Sequence, residues 1–340
     1  MSTAGEERAR QLGIGIVGTG KISRQFAAAV RATPGVLPRL VYSRERETGD
    51  AYAKECGVAA ATDSWEGFLS DPGVDAVYIA TPNAAHFRQA LDALRAGKHV
   101  LCEKPLTTDA ARFAYLSDEA RGRGLVLMEG MRFLHDPVFP LICKAMKRIG
   151  QVRRADLIYC QYSSRYDQFK AGTVLNAFNP LLSNAAVMDI GVYPVALAVS
   201  LFGMADRVFA SSTFLQNGFE SAGTATLGYD GFDVTLTWSK IADADSPSVV
   251  AGDGGTLMVD HVSRTRRVDF APAGGRTETI PYVAAENNMI YEAADLRDAI
   301  LGELDPAPFL EISWMTVRTL DAIRQAAGIR FPSDDEPLGV

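Results

Sequence analysis

Gly18 and Gly20 stand two residues apart in the segment Gly13-Ile14-Gly15-Ile16-Val17-Gly18-Thr19-Gly20-Lys21-Ile22-Ser23, where an apolar strand gives way to a helical pattern. Lacking Cβ atoms, these glycines let the backbone approach a pyrophosphate. The helix start at Lys21 and Ile22 offers unpaired amides and the positive end of a dipole. Ser23 occupies the third glycine position of a dinucleotide fingerprint and is small enough for close helix–strand packing. About twenty residues on, where an NAD site carries a carboxylate, the chain reads Val41-Tyr42-Ser43-Arg44-Glu45-Arg46. A hydroxyl followed by a guanidinium suits a 2′-phosphate, so Ser43 and Arg44 favour NADP(H) over NAD. The competing reading makes Arg44 and Arg46 solubilising charges at a helix start, beside Glu45 and Glu47.

Ligands of doubly wound sheets bind outside the carboxyl ends of the strands. The strand ends here read Thr81-Pro82-Asn83, Glu103-Lys104-Pro105 and Glu129-Gly130-Met131-Arg132. Lys104 follows the apolar run from His99 to Cys102, which aims its ammonium into the crevice. Residues 187–202 are apolar nearly all round yet contain Asp189 and Tyr193, four apart and therefore on one helix face. An unpartnered buried carboxylate costs several kcal/mol, so Asp189 must meet a cation, donors or a polar cleft. Taken singly, Asp189 reads as a structural ion-pair partner and Tyr193 as a core tyrosine. Pro194 lacks an N–H and should bend this helix.

These groups need two kinds of scaffold. From residue 12 to about 128, short Val/Ile/Leu runs alternate with helical periods, the rhythm of a parallel sheet. Strands are expected at 13–17, 39–42, 58–61, 76–80, 99–102 and 125–128, with helices at 22–32, 48–55, 84–96 and 109–122. After a helix at 138–148, strand follows strand with hairpin signals, the clearest at Asp230-Gly231. Beyond it Phe232, Val234, Leu236 and Trp238 alternate with polar residues, giving a half-buried strand. Two helices, at 286–301 and 311–327, close the chain. The expected fold is α/β: an N-terminal Rossmann doubly wound parallel sheet over 1–130, an α+β unit with a mostly antiparallel sheet over 131–330, and a loosely ordered acidic tail over 331–340.

The 340 residues, 22% charged with a net charge of −7 and no Lys/Arg run, speak against a nucleic-acid partner or an anionic membrane surface. No stretch of 18 apolar residues suggests a membrane span, and a cytoplasmic protein is expected. Cys56, Cys102, Cys143 and Cys160 form no C-x-x-C pair and the four histidines no H-E-x-x-H pattern, so neither a disulfide nor a metal site is expected.

Taken together, Gly18-Thr19-Gly20, Ala80-Thr81-Pro82-Asn83 with His86, Gly97-Lys98-His99-Val100-Leu101-Cys102-Glu103-Lys104-Pro105 and Met188-Asp189-Ile190-Gly191-Val192-Tyr193-Pro194 resemble the Gfo/Idh/MocA oxidoreductases over essentially the whole chain. Tyr193, where many members have His, resembles the branch of glucose-fructose oxidoreductase, dihydrodiol dehydrogenase and D-xylose dehydrogenase, most of which use NADP(H). Ser183-Asn184-Ala185-Ala186 departs from the glycine-rich approach usual in relatives. The resemblance implies cofactor contacts from the glycine turn, Ser43, Arg44, Thr81, Pro82, Asn83, His86, Glu103 and Lys104. It implies catalysis by Lys104, Asp189 and Tyr193 on a sugar, cyclitol or cyclic diol, and a homo-oligomer joined through the outer face of the second sheet.

In that chemistry a hydride moves between nicotinamide C4 and a carbinol or carbonyl carbon, and Tyr193 exchanges the hydroxyl proton. A free phenol near pKa 10 must come down about 2–3 units, roughly 3–4 kcal/mol, which an ammonium at Lys104 within about 4–6 Å would supply. Asp189 would orient a substrate hydroxyl or the lysine. Whether Tyr193 or Lys104 carries the proton stays open, because a coupled pair titrates as a unit. Arg165, Tyr166, Asn176 and Asn179 in the loop 162–179 are the expected substrate partners. Two other readings share the scaffold: an imine or linear tetrapyrrole reductase, and a non-catalytic NADP-sensing regulator.

Overall fold

The structure is a computed structural model that describes residues 11–338. The first unit runs β1 (Leu12–Val17), α1 (Lys21–Ala32), β2 (Val36–Tyr42), α2 (Arg46–Cys56), β3 (Ala60–Thr62), α3 (Trp65–Ser70), β4 (Ala76–Ile79), α4 (Asn83–Arg95), β5 (His99–Glu103), α5 (Ala110–Arg123) and β6 (Leu127–Gly130). All six strands are parallel, in the order β3-β2-β1-β4-β5-β6. This is the doubly wound arrangement, and its order reverses between β1 and β4, where ligands bind. The strands read as unbroken apolar runs because helices cover both faces: Ile14, Ile16, Tyr78 and Leu101 face one core cluster, and Val17, Val77, Ile79 and Val100 the other.

The chain then passes through α6 (Arg132–His135), α7 (Val138–Met146), β7 (Val152–Cys160) and α8 (Tyr166–Lys170), followed by single 3₁₀ turns at Asn176–Phe178 and Pro180–Leu182. A π turn at Val187–Gly191 leads into α9 (Val192–Phe202), which is buried from Val192 to Val199. Next come β8 (Arg207–Phe214), β9 (Glu220–Tyr229), β10 (Phe232–Ser239), β11 (Ser248–Gly252), β12 (Gly255–Val259), β13 (Val268–Pro272) and β14 (Glu278–Ile280). Together with β7 these form an eight-stranded sheet ordered β14-β13-β12-β11-β7-β10-β9-β8, antiparallel except where β10 pairs with β7. The hairpin at Asp230-Gly231 forms as expected, with Gly231 at φ 83° and Tyr229 opposite Phe232. Val234, Leu236 and Trp238 point into the core with α9.

Two helices close the chain, and they depart from a simple two-part division. In α10 (Met289–Leu301), Met289, Ala293 and Leu296 join the core of the first sheet, whereas α11 (Ala307–Ala327) sends Val317 to that unit and Leu320 and Ile323 to the second. The tail expected to be loose is instead docked as far as Glu336, and residues 339–340 lie outside the described residues. Phe331 is buried, Asp334 pairs with the buried Arg324 at 2.5 Å, and Arg112 donates to the carbonyls of Ser333 and Glu336. An acidic tail reads as solvated only until the arginines that receive it are known. No helix among the described residues is long and apolar enough to cross a membrane, and Cys56, Cys102, Cys143 and Cys160 are free thiols.

The return of α10 buries Glu292 completely, with neither carboxylate oxygen hydrogen-bonded among the described residues. Burial, and next the nearby Glu103, push its carboxyl from 4.5 up to about 8. The folded protein therefore keeps a proton that the unfolded chain releases, and stability falls as pH rises through that window, by about 1.4 kcal/mol per pH unit. Replacing Glu292 by Gln should remove this slope. Thermal melts from pH 5 to 9 should show the variant gaining on the wild type toward pH 8, and parallel curves would contradict the assignment.

Candidate active site

A cleft of about 760 Å³ opens at the carboxyl ends of β1, β2 and β4. One wall is the glycine turn. Gly18 sits at φ 105°, and a Cβ there would come within 2.7 Å of the Ala80 carbonyl, so only glycine fits the crossing of β1 and β4. Gly20 differs: a Cβ built on it meets nothing within 4 Å, so its backbone faces open cleft. It caps α1 with no side-chain acceptor, leaving the first amides of Lys21 and Ile22 for an anion. Ser23 is fully buried and returns its hydroxyl to the Gly20 carbonyl at 2.9 Å, while Arg24 Nη1 donates to the Thr19 carbonyl and pins the turn.

Ser43, Arg44, Glu45 and Thr48 line the next wall. Among the described residues Arg44 has no ion pair, whereas Arg46 pairs with Asp50 one helical turn on, at 3.0 Å. Only Arg46 thus behaves as a solvated helix charge. Thr81 and Pro82 form the floor, and Asn176 and Leu182 cross over from the second unit.

Beyond β5, three charged residues from three elements meet. Lys104 Nζ donates to the Asp189 carbonyl at 2.5 Å and pairs with Asp189 Oδ1 at 3.0 Å. The carbonyl is available for a local reason. In a π turn it would be taken by the amide five residues on, and that residue is Pro194, which has none. The other carboxylate oxygen, Oδ2, lies 2.7 Å from Nζ of Lys240, a residue just past β10 that sequence reasoning missed. The Lys240 side chain is only 5% exposed and also donates to the Ala177 carbonyl at 2.8 Å. Burial would raise the Asp189 carboxyl, but Lys240 and then Lys104 outweigh it and hold the group far below the usual carboxylate range. Burial would likewise lower Lys104; the acidic groups around it, with the Asp189 carboxylate hydrogen-bonded to it, outweigh burial and keep the ammonium charged.

Tyr193 stands over this pair, its ring centroid 5.0 Å from Lys104 Nζ. The expected drop in its pKa does not occur. Burial pushes the phenol up, and the Lys104 ammonium offsets only part of that. At neutral pH the phenol keeps its proton. Tyr159 packs against Tyr193 with centroids 5.7 Å apart, and His261 against Tyr159 at 4.6 Å, so the loop after β12 forms another wall that the sequence did not reveal.

Comparison with known proteins places this geometry. Residues 12–131 match the model of the oxidoreductase family with an NAD-binding Rossmann fold, and residues 145–258 the GFO/IDH/MocA C-terminal domain. The scyllo-inositol 2-dehydrogenase (NADP(+)) IolU of Bacillus subtilis is 38% identical over 94% of this chain and 98% of its own length. The chain belongs to the Gfo/Idh/MocA oxidoreductase family. A second member, D-xylose 1-dehydrogenase (NADP(+)) 2 of Haloferax volcanii, is 31% identical over 92% of the chain and 96% of its own. Among solved structures, a 3-ketoreductase from Actinomadura kijaniata in complex with NADP and TDP-benzene superposes with a TM-score of 0.84 at 25% identity, covering 95% of this chain and 99% of that one. The protein is accordingly an NAD(P)-dependent dehydrogenase or reductase with a Rossmann domain.

Within this Gfo/Idh/MocA frame several expected contacts fall elsewhere. Both His86 ring nitrogens lie against carbonyls, Pro105 at 2.9 Å and Thr81 at 2.8 Å, so this buried ring straps the ends of β4 and β5 together. Glu103 turns inward to accept from the Tyr78 hydroxyl at 2.7 Å. Asn83 donates to the Ser183 carbonyl at 3.0 Å, tying the cleft to the second unit. Asn179 caps its own 3₁₀ turn through the Leu181 amide, and Tyr166 stacks in an aromatic group with Phe169 and Phe178. Arg165 is exposed, and Asn176 lines the cleft below the glycine turn. His86, Glu103 and Asn83 find their partners on other elements, 19 to 100 residues away, which spacing along the chain does not reveal.

Gly20 separates binding from folding. Gly20→Ala has ordinary φ (−76°) and an empty Cβ site, so Tm should stay within about 2 °C of wild type while nucleotide affinity falls at least about tenfold, measured by titration calorimetry. Unchanged affinity would remove the glycine turn from the binding site.

Proposed function

We propose that the protein is an NADP(H)-dependent oxidoreductase that interconverts a secondary hydroxyl and a ketone or aldehyde on a sugar, cyclitol or cyclic diol. The observation that carries this reading is the meeting of Lys104, Asp189 and Tyr193 beyond the end of β5. The nicotinamide would supply or accept the hydride. The protein's own part is proton and hydroxyl handling. Tyr193, protonated at neutral pH and with its hydroxyl unpartnered among the described residues, gives its proton to the oxygen of a carbonyl being reduced. The phenolate left behind lies beside the Lys104 ammonium, which stabilises it. Asp189, held as a carboxylate, accepts a hydrogen bond from a neighbouring substrate hydroxyl and does not itself carry the proton.

The 2′-phosphate preference rests on Ser43 and on Arg44, whose guanidinium has no carboxylate partner among the described residues. A polyhydroxylated substrate fits the activities for which two relatives are named, an inositol and a xylose dehydrogenase. Association of copies through the outer face of the second sheet belongs to the same proposal, and exposed Phe209 and Phe214 on edge strand β8 are the side chains it would cover. A purely cofactor-sensing role is not favoured, since Lys104, Asp189 and Tyr193 would then have no task.

Turnover of aldoses, inositols, inososes and trans-diols should be measured with NADP(H) and NAD(H) in parallel. The expected result is activity with a ring-hydroxylated substrate and a clear preference for NADP(H). Tyr193→Phe should lose about 10²–10⁴-fold in kcat with nucleotide affinity unchanged. Near-normal turnover by this variant would overturn the proton-donor assignment.

A further inference from the structure

We propose that Lys240 is a positioning residue for the reaction, resting on the reading above: it fixes the Asp189 carboxylate and couples it to the wall of the cofactor cleft. Three observations meet at its ammonium. Nζ lies 2.7 Å from Asp189 Oδ2 while Lys104 holds Oδ1 at 3.0 Å, so each carboxylate oxygen has its own cation and the group cannot rotate without losing one. The same Nζ donates at 2.8 Å to the carbonyl of Ala177, which lies between Asn176 and Leu182, the two residues that cross the cleft from the second unit. The ammonium lies over aromatic rings, 5.0 Å from the Phe178 centroid and 5.3 Å from that of Phe219, a seat that favours a cation.

A lysine this buried does not arise as a solubilising charge. Its position has a chemical consequence for Lys104. With Oδ2 taken by Lys240, Asp189 offers Lys104 one oxygen and its backbone carbonyl, so two of the three Lys104 N–H bonds are engaged and the third is left for the Tyr193 phenol or the substrate oxygen. Without Lys240 the carboxylate is free to swing, and Lys104 follows it. The residue touches neither the reacting atoms nor the glycine turn, so its loss should separate turnover from nucleotide binding.

The test is Lys240→Met, which keeps the length and the packing on Phe178 and Phe219, together with Lys240→Ala in the full chain. Lys240→Met should lose about 10- to 100-fold in kcat/KM for the polyol, with a raised polyol KM, while the NADP+ dissociation constant stays within about twofold. Methylammonium or ethylammonium should restore several-fold activity to Lys240→Ala and none to Lys240→Met. Wild-type kcat/KM in Lys240→Met overturns the proposal. So does a matched loss of turnover and nucleotide affinity without amine rescue, which is the signature of a merely structural lysine. If the wild type turns over no polyol, the functional reading fails by itself, and hydrogen exchange then judges the clamp: faster exchange across residues 176–191 in Lys240→Met supports it, and unchanged exchange overturns it.

Discussion

An ionised carboxylate can take a cation at each oxygen, and Asp189, with 42% of its side chain still exposed, holds two ammonium groups from two different sheets. Lys104 arrives from the end of β5 in the parallel sheet, Lys240 from the end of β10 in the antiparallel one. The Asp189 carboxylate between them joins the cofactor-binding unit to the second unit. The π turn that carries Asp189 turns its carbonyl to Lys104 as well, because Pro194 supplies no amide to claim it. Remove either cation and the other is left beside a charge it cannot satisfy alone.

The surrounding fold serves to hold those strand ends in register. His86 straps the turn after β4 to the turn after β5, so the floor of the cleft and the base of Lys104 move together. Asn83 and Ser333 both hold Ser183, which adopts a left-handed conformation at φ 56°, just before the helical segment that bears Asp189. The docked tail, through Asp334 and Arg324, thereby reaches the same place. Fixing these side chains in this way lowers the ordering entropy that the proposed chemical step would otherwise require.

Much of the architecture was legible because its signals are local or periodic: the glycine turn, the alternation of Val234, Leu236 and Trp238, and the Asp230-Gly231 hairpin. Lys104, Asp189 and Tyr193 could be singled out because a strand end and an apolar helix make polar residues conspicuous. Lys240 could not. It follows a strand whose alternation had already ended at Ser239, and a lysine there is ordinarily solvated; its burial depends on Ala177 and Asp189, distant in sequence. The acidity of Tyr193 went the wrong way for a related reason. A lysine neighbour is visible in the chain, but the desolvation that outweighs it belongs to the packed state. The same holds for Glu103 and His86, whose partners lie across the sheet.

On the proposed function, the Lys104–Asp189 pair acts as one unit in turnover. A double-mutant cycle measures this directly, comparing kcat/KM of Lys104→Met, Asp189→Asn and the double variant with the wild type. If the pair is a unit, the double variant should be no worse than the poorer single variant within about threefold, a coupling of roughly 1–3 kcal/mol. Losses that simply multiply would mean that the two side chains act independently, and would rule the unit out.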